Sequence, residues 1–234
     1  MKNILVVILV STLTNLSIAQ VSLSAGAGIA NGFSTDQSFT GLNGGFEMPR
    51  SNDVTFYGRI GHFFSRKGEN TNTTQAFNNN PSDLIYSIQA PYVYKFNYTT
   101  FEGGTRYYLM NDYDNGFSAY GGTNFMLSFN SIKRKYERDA SYGVDIIENW
   151  QNNYSIDPNE SEKANMINLS IGLQGGVKYT IAGTGTVYFD VSGQYTIFNT
   201  AQNENFAINY LNSFDNQYSR LFFIFSVGFR KDLY

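Results

Sequence analysis

From Ile167 to Ile181 the chain alternates without interruption. Ile167, Leu169, Ile171, Leu173, Gly175, Val177, Tyr179 and Ile181 take the odd positions, and Asn168, Ser170, Gly172, Gln174, Gly176, Lys178 and Thr180 the even ones. A period of two puts each set on its own face of a strand, whereas a helix would scatter the apolar residues around its circumference. The next stretch repeats the pattern. Val187, Phe189, Val191, Gly193, Tyr195 and Ile197 oppose Thr186, Tyr188, Asp190, Ser192, Gln194 and Thr196. Ala182-Gly183-Thr184-Gly185 between them reads as a tight hairpin turn.

Six more strands follow from the same rule: Val21 to Ala30, Phe39 to Met48, Val54 to Ser65, Lys95 to Leu109, Phe117 to Phe129 and Tyr218 to Arg230. In the fourth, Tyr94, Phe96 and Tyr98 stand out of phase with Phe101, Gly103, Thr105, Tyr107 and Leu109, which predicts a bulge near Thr99-Thr100 or a later start. The connections alternate in length. Short ones cover 49–53, 111–116 and 182–185. Longer ones, apart from a first of moderate length at 31–38, cover 66–91, 131–164 and 199–217. Short turns at one end and long loops at the other are the plan of an eight-stranded antiparallel up-and-down transmembrane β-barrel, with the turns and both termini in the periplasm. The polar phase is mostly Ser, Gly, Thr, Asn and Gln, which suit a narrow lumen. The other phase carries bulky Phe, Tyr, Leu and Ile, for which eight strands leave little interior room. That assignment favours lipid outside and polar groups inside over a secreted soluble barrel with an apolar core.

Composition sharpens this picture. There are 20 Phe, 18 Tyr and 22 Gly against 4 Pro, and charged residues make up 15%. Aromatic-rich, charge-poor chains suit strands that meet a membrane interface. The start, Met1-Lys2-Asn3-Ile4-Leu5 through Val10, is a basic end before an apolar run, followed by Ser17-Ile18-Ala19. This reads as a signal peptide over residues 1–19, cleaved before Gln20, with the barrel domain over 20–234. The apolar run is too short for a spanning helix. With no cysteine, a lipoprotein anchor, disulfides and thiolate metal sites are excluded. The net charge of -3 gives no reason to expect nucleic acid as a partner.

Candidate chemistry is sparse. Glu47, Arg59, Glu102, Arg106, Lys178, Asp190 and Arg230 fall on the lumen phase, and charges in so confined a space must pair or hold water. They read as a structural interior network that plugs the barrel, with a proton or ion path as the alternative. Small barrels that act on lipids need a base near a serine at the rim. The single histidine, His62, lies on the outward phase near the loop end of the third strand, and Ser65, three residues on, takes the opposite face. His62 therefore reads as an interfacial residue. The loop segment Lys133-Arg134-Lys135-Tyr136-Glu137-Arg138 offers Lys133, Arg134 and Lys135 as candidate contacts for lipopolysaccharide phosphates, or simply as a solvated strand extension. Trp150 and the Asn78-Asn79-Asn80 run fall in the long loops and read as ordinary exposed loop, with a binding surface as the alternative. No metal-ligand spacing, phosphate-binding glycine loop or nucleophile elbow appears, so no cofactor and no enzymatic activity are expected.

Ser17-Ile18-Ala19-Gln20, the glycine-rich Ser24-Ala25-Gly26-Ala27-Gly28, Phe101-Glu102-Gly103-Gly104-Thr105-Arg106-Tyr107-Tyr108 and the closing Phe225-Ser226-Val227-Gly228-Phe229 resemble the small outer-membrane β-barrel proteins of Bacteroidota, a group that includes PorT-like proteins. The resemblance implies an eight-stranded barrel placed in the outer membrane of a Gram-negative bacterium by the outer-membrane assembly machinery. Its implied partners are outer-membrane lipid and lipopolysaccharide, together with secretion or envelope proteins. Three roles follow: a non-enzymatic barrel of structural or loop-mediated binding function without an open pore, an accessory part of a secretion system, and, as a third class, a lipid hydrolase or acyltransferase.

Overall fold

The computed structural model describes residues 21–32, 38–76, 86–110, 116–136, 161–201 and 220–233. The signal-peptide boundary, Trp150 and Asn78-Asn79-Asn80 lie outside them. Eight strands run in chain order: β1 Val21–Gly32, β2 Ser38–Pro49, β3 Val54–Ala76, β4 Tyr86–Tyr108, β5 Phe117–Tyr136, β6 Ser161–Ile181, β7 Gly185–Ala201 and β8 Leu221–Leu233. Each pairs antiparallel with its neighbour, and β8 pairs with β1 to close the barrel. Closure satisfies every strand edge, a condition the backbone must meet in lipid.

Alternation places the residues as the sequence pattern anticipates. Leu23, Phe46, Phe56, Ile60, Phe125, Leu173 and Val227 stand exposed outside, while Ser22, Thr55, Asn124, Ser170, Gln194 and Ser226 are buried within. Room inside comes from glycine. A methyl group on Gly176 would sit 2.6 Å from the Tyr120 ring, and one on Gly228 2.4 Å from the Tyr188 hydroxyl. At the short-turn end, Gly116 and Gly183 adopt positive φ (42° and 73°), which other residues rarely adopt. Arg50 and Ser51 donate backbone hydrogen bonds to the Val54 carbonyl in the β2–β3 turn.

Three expectations are corrected. First, much of the chain read as long loops is strand. β3 and β4 remain paired out to Ala76 and Tyr86, and β5 and β6 out to Lys135 and Ser161. The described outward side chains on these extensions, among them Lys67, Glu69, Lys95, Lys133, Lys135 and Lys163, lack the apolar alternation that marks a strand facing lipid. With β1, β2 and β8 only 12 to 13 residues long and β3 and β4 23 each, one wall of the barrel is taller. Second, β4 carries no bulge at Thr99-Thr100. Its register with β5 is continuous, and the shift lies on the partner strand, between Phe63 and Arg66 of β3. Phe96 therefore lies inside, with Tyr98 packed against it. Third, Ser65 sits in that irregular stretch and is exposed instead of facing the lumen. A further irregularity in β7, opposite Leu169 and Ser170, leaves Ile197 and Phe198 both exposed.

Candidate functional site

All seven charged lumen residues identified from the sequence are buried, and they converge from six strands. Arg59 and Glu102 are direct cross-strand partners, which brings their side chains together by register alone. The Arg59 guanidinium donates to Glu102 from Nε (2.9 Å) and Nη2 (2.7 Å), and from Nη1 to both oxygens of Asp190 (3.0 and 3.1 Å). Arg106 bridges Glu47 (2.8 Å) and the same Asp190 (3.1 Å). Arg230 reaches Glu47 at 3.3 Å. One fully buried carboxylate, Asp190, thus lies between two guanidinium groups, and a second, Glu47, between two more contacts of the same kind. Ion pairs out of water persist only when the remaining lone pairs and protons are also satisfied.

Neutral side chains supply that satisfaction to Glu47 and Glu102, while the buried Arg106 Nε has no hydrogen-bond partner among the described residues. Tyr57 and Asn124 donate to Glu102 (2.7 and 2.5 Å), and Thr55 and Tyr108 donate to Glu47 (both 2.6 Å). The Arg106 guanidinium lies over the rings of Tyr57 and Tyr120, 4.3 and 4.8 Å from their centroids, and the Lys178 ammonium lies 4.8 Å from that of Tyr108. Such cation–π contacts gain strength where water is absent. Asp232 joins at the rim, 3.6 Å from Arg230 and hydrogen-bonded by Ser22. With it, four carboxylates balance four cations. Sequence reasoning omitted Asp232 and the three tyrosines. Tyr57, Tyr108 and Tyr120 share the lumen phase of their strands, so the phase rule applied to every polar ring would have found them. Asp232 lies two residues beyond Arg230 and shares its phase, so the same rule carried past Arg230 would have found it too.

The lumen is layered. Toward the loop end, Asn124, Ser192 and Gln194 form a hydrogen-bonded amide and hydroxyl layer, with Asn168 and Ser128 joined beyond it. Further on, Phe39, Phe96 and Tyr98 pack at centroid distances of 4.5 to 5.7 Å, and Phe63 is buried on the lumen phase. A small polar pocket, lined in part by Ser24, Glu47, Lys178, Thr186 and Arg230, lies at the short-turn end and suits trapped water. Side chains thus occupy every described level of the interior.

The other candidates separate from this site. His62 is exposed on the outer surface, its Nδ1 3.0 Å from the Thr99 hydroxyl and its ring edge-on to Phe64. Neither contact is a serine or a carboxylate. Lys133, Arg134 and Lys135 lie on β5 and not in a loop, paired with β4 and β6. Lys133 and Lys135 are exposed, and the Arg134 side chain lies outside the described ones.

No family model matches the chain, and no curated protein matches it. Solved structures with a similar fold include a major outer membrane protein from Thermus thermophilus (10% identity, TM-score 0.50, covering 92% of this chain and 100% of that one). Others are Neisserial surface protein A (12%, TM-score 0.45, 91% and 95%) and Ail, the attachment invasion locus protein of Yersinia pestis (11%, TM-score 0.44, 91% and 97%). At these identities the likeness concerns the fold: a small closed barrel of antiparallel strands.

Proposed function

We propose that the chain is an outer-membrane β-barrel of a Gram-negative bacterium, exported by a signal peptide cleaved after Ala19, with a structural or loop-mediated binding role and no open pore. One observation carries this reading. The described outward positions between Val54 and Phe64 on β3, Phe101 and Tyr107 on β4, and Phe117 and Phe129 on β5 carry no Asp, Glu, Lys or Arg, while the charges lie inside. A water-soluble barrel would invert that arrangement, because exposing a continuous apolar belt to water costs roughly 25 cal/mol for each Å². The girdle of Phe and Tyr at the belt's edges suits the two membrane interfaces.

The resemblance to small PorT-like barrels of Bacteroidota supports an envelope role and insertion by the outer-membrane assembly machinery. It supplies no observation that favours secretion over display of the loops. A hydrolytic role lacks support at His62, whose contacts are Thr99 and Phe64. The test is fractionation of cells expressing the full chain, followed by gel electrophoresis with and without boiling. The expected result is a band in the outer-membrane fraction that migrates faster unboiled, and an N-terminus at Gln20. A mature chain that stays monomeric in buffer without detergent would contradict the proposal.

A further inference from the structure

Four lysines stand in one row across four adjacent strands. Lys67 of β3 is the direct register partner of Lys95 of β4, Lys95 of Lys133 of β5, and Lys133 of Lys163 of β6. All four are exposed. They are scattered over almost a hundred residues of sequence, and the Lys67–Lys95 pairing exists only because the β3 shift at Phe63/Arg66 moves the strand by one residue. At a strand spacing of about 4.8 Å the row is roughly 14 Å long. Like charges directly opposed on a sheet destabilise it. Among the described residues no ion pair joins any of these lysines to a carboxylate. Four cations in line, at a position where the fold itself gains nothing from them, point to an anion supplied from outside.

The layers beneath the row say which anion. On the same outward face, Ile60, Phe101, Leu127 and Leu169 form one level, His62, Thr99, Phe129 and Ile167 the next, and Asn97, Ser131 and Asn165 the next; the lysines follow. The surface thus passes from hydrocarbon, through aromatic and hydroxyl groups, through amides, to positive charge. Lys133 lies four residues beyond Phe129, about 10 Å above it once strand tilt is included. That is the depth of headgroup phosphates above the acyl chains.

We propose that this row binds the phosphates of phosphorylated glycolipid in the outer leaflet, of the lipid A class, and holds an annular lipid against the tall wall formed by β3 to β6. The proposal rests on the outer-membrane reading above. Lysine ammonium groups act as point charges on phosphate, and several in line match a multiply charged headgroup. The ligand thereby relieves the repulsion within the row.

The test uses the full mature chain in phosphatidylcholine nanodiscs, with phosphorylated lipid A or its dephosphorylated form added, and bound lipid counted by native mass spectrometry. Wild type is expected to retain phosphorylated lipid A at least tenfold better than the dephosphorylated form, on the order of what several lysines contribute near an anionic surface. Changing Lys67, Lys95, Lys133 and Lys163 together to Gln should abolish the difference. Changing all four to Arg should preserve it, and Lys231→Gln, at the opposite end of the barrel, should leave it unaltered. If the fourfold Gln variant does not fold, Lys95→Gln with Lys133→Gln gives the same reading at partial strength. A thermal scan adds a sign test: in zwitterionic detergent the Gln variant should melt higher than wild type, and with lipid A the order should reverse. Equal retention of the two lipids, unchanged retention by the folded Gln variant, or binding of a soluble sulfated oligosaccharide in place of lipid A would each overturn the proposal. Failure of wild type to enter any bilayer is a different result, and would remove the outer-membrane reading with it.

Discussion

At the residue scale, the lumen depends on carboxylates that two cations share. Asp190 is held by Arg59 and Arg106, and Glu47 by Arg106 and Arg230, so Arg106 is the link between the two acids. Removing one partner of a buried pair leaves its companions charged and out of water. Arg106→Ala should therefore lower stability by about 3–5 kcal/mol, read as a lower midpoint of unfolding in urea with bilayer vesicles present. Replacing Tyr57 by Phe removes one donor to Glu102 while leaving its two contacts with Arg59 and that with Asn124. Its expected cost is smaller, about 1–3 kcal/mol. A Tyr57→Phe effect as large as that of Arg106→Ala would show that the hydroxyl, and not the ion pairs, organises the core.

At the element scale, the irregularity in β3 sets the phase of the strand beyond it. Phe63 pairs with Tyr98 and Arg66 with Phe96, so β3 carries one residue more than β4 over this stretch. In a ladder of period two, one extra residue exchanges the sequence phase of the two faces for everything that follows. Deleting Ser65 should therefore leave a single residue opposite Asn97, with Arg66–Phe96 and Lys67–Lys95 still paired in a regular ladder. Hydrogen exchange of β3 amides measures this: those beyond Phe63 should keep their protection, as should those from Val54 to Ile60. Loss of protection beyond Phe63 would mean that the irregularity itself, and not the pairing on either side of it, holds that part of the strand.

At the scale of the molecule, closure by β1 and β8 and the filling of the lumen decide what can pass through. An eight-stranded barrel has an interior just wide enough to be filled by side chains, and this one stacks a charge network, an amide layer and an aromatic layer along its axis. Planar-bilayer recordings of purified wild type should show no steady conductance. Arg106→Ala should remain silent too, since Tyr57, Tyr108 and Tyr120 still occupy its level. Stable single-channel steps from wild type would refute the filled-barrel description.

Much of this was legible in the chain itself. Strict alternation from Ile167 to Ile181 and from Val187 to Ile197 identified strands with opposed faces, because period two is a local property that needs no partner. The same phase rule listed Glu47, Arg59, Glu102, Arg106, Lys178, Asp190 and Arg230 as inward facing. Which acid meets which base was beyond it, since Arg59 and Asp190 are 131 positions apart and meet only across the lumen. Phe96 and Tyr98 misled the reading for a related reason: aromatic rings inside a barrel look, residue by residue, like rings outside it. The lysine row lay furthest from view. Its members are ordinary surface lysines in one dimension, and only the register of four strands, with one irregularity in β3, sets them side by side.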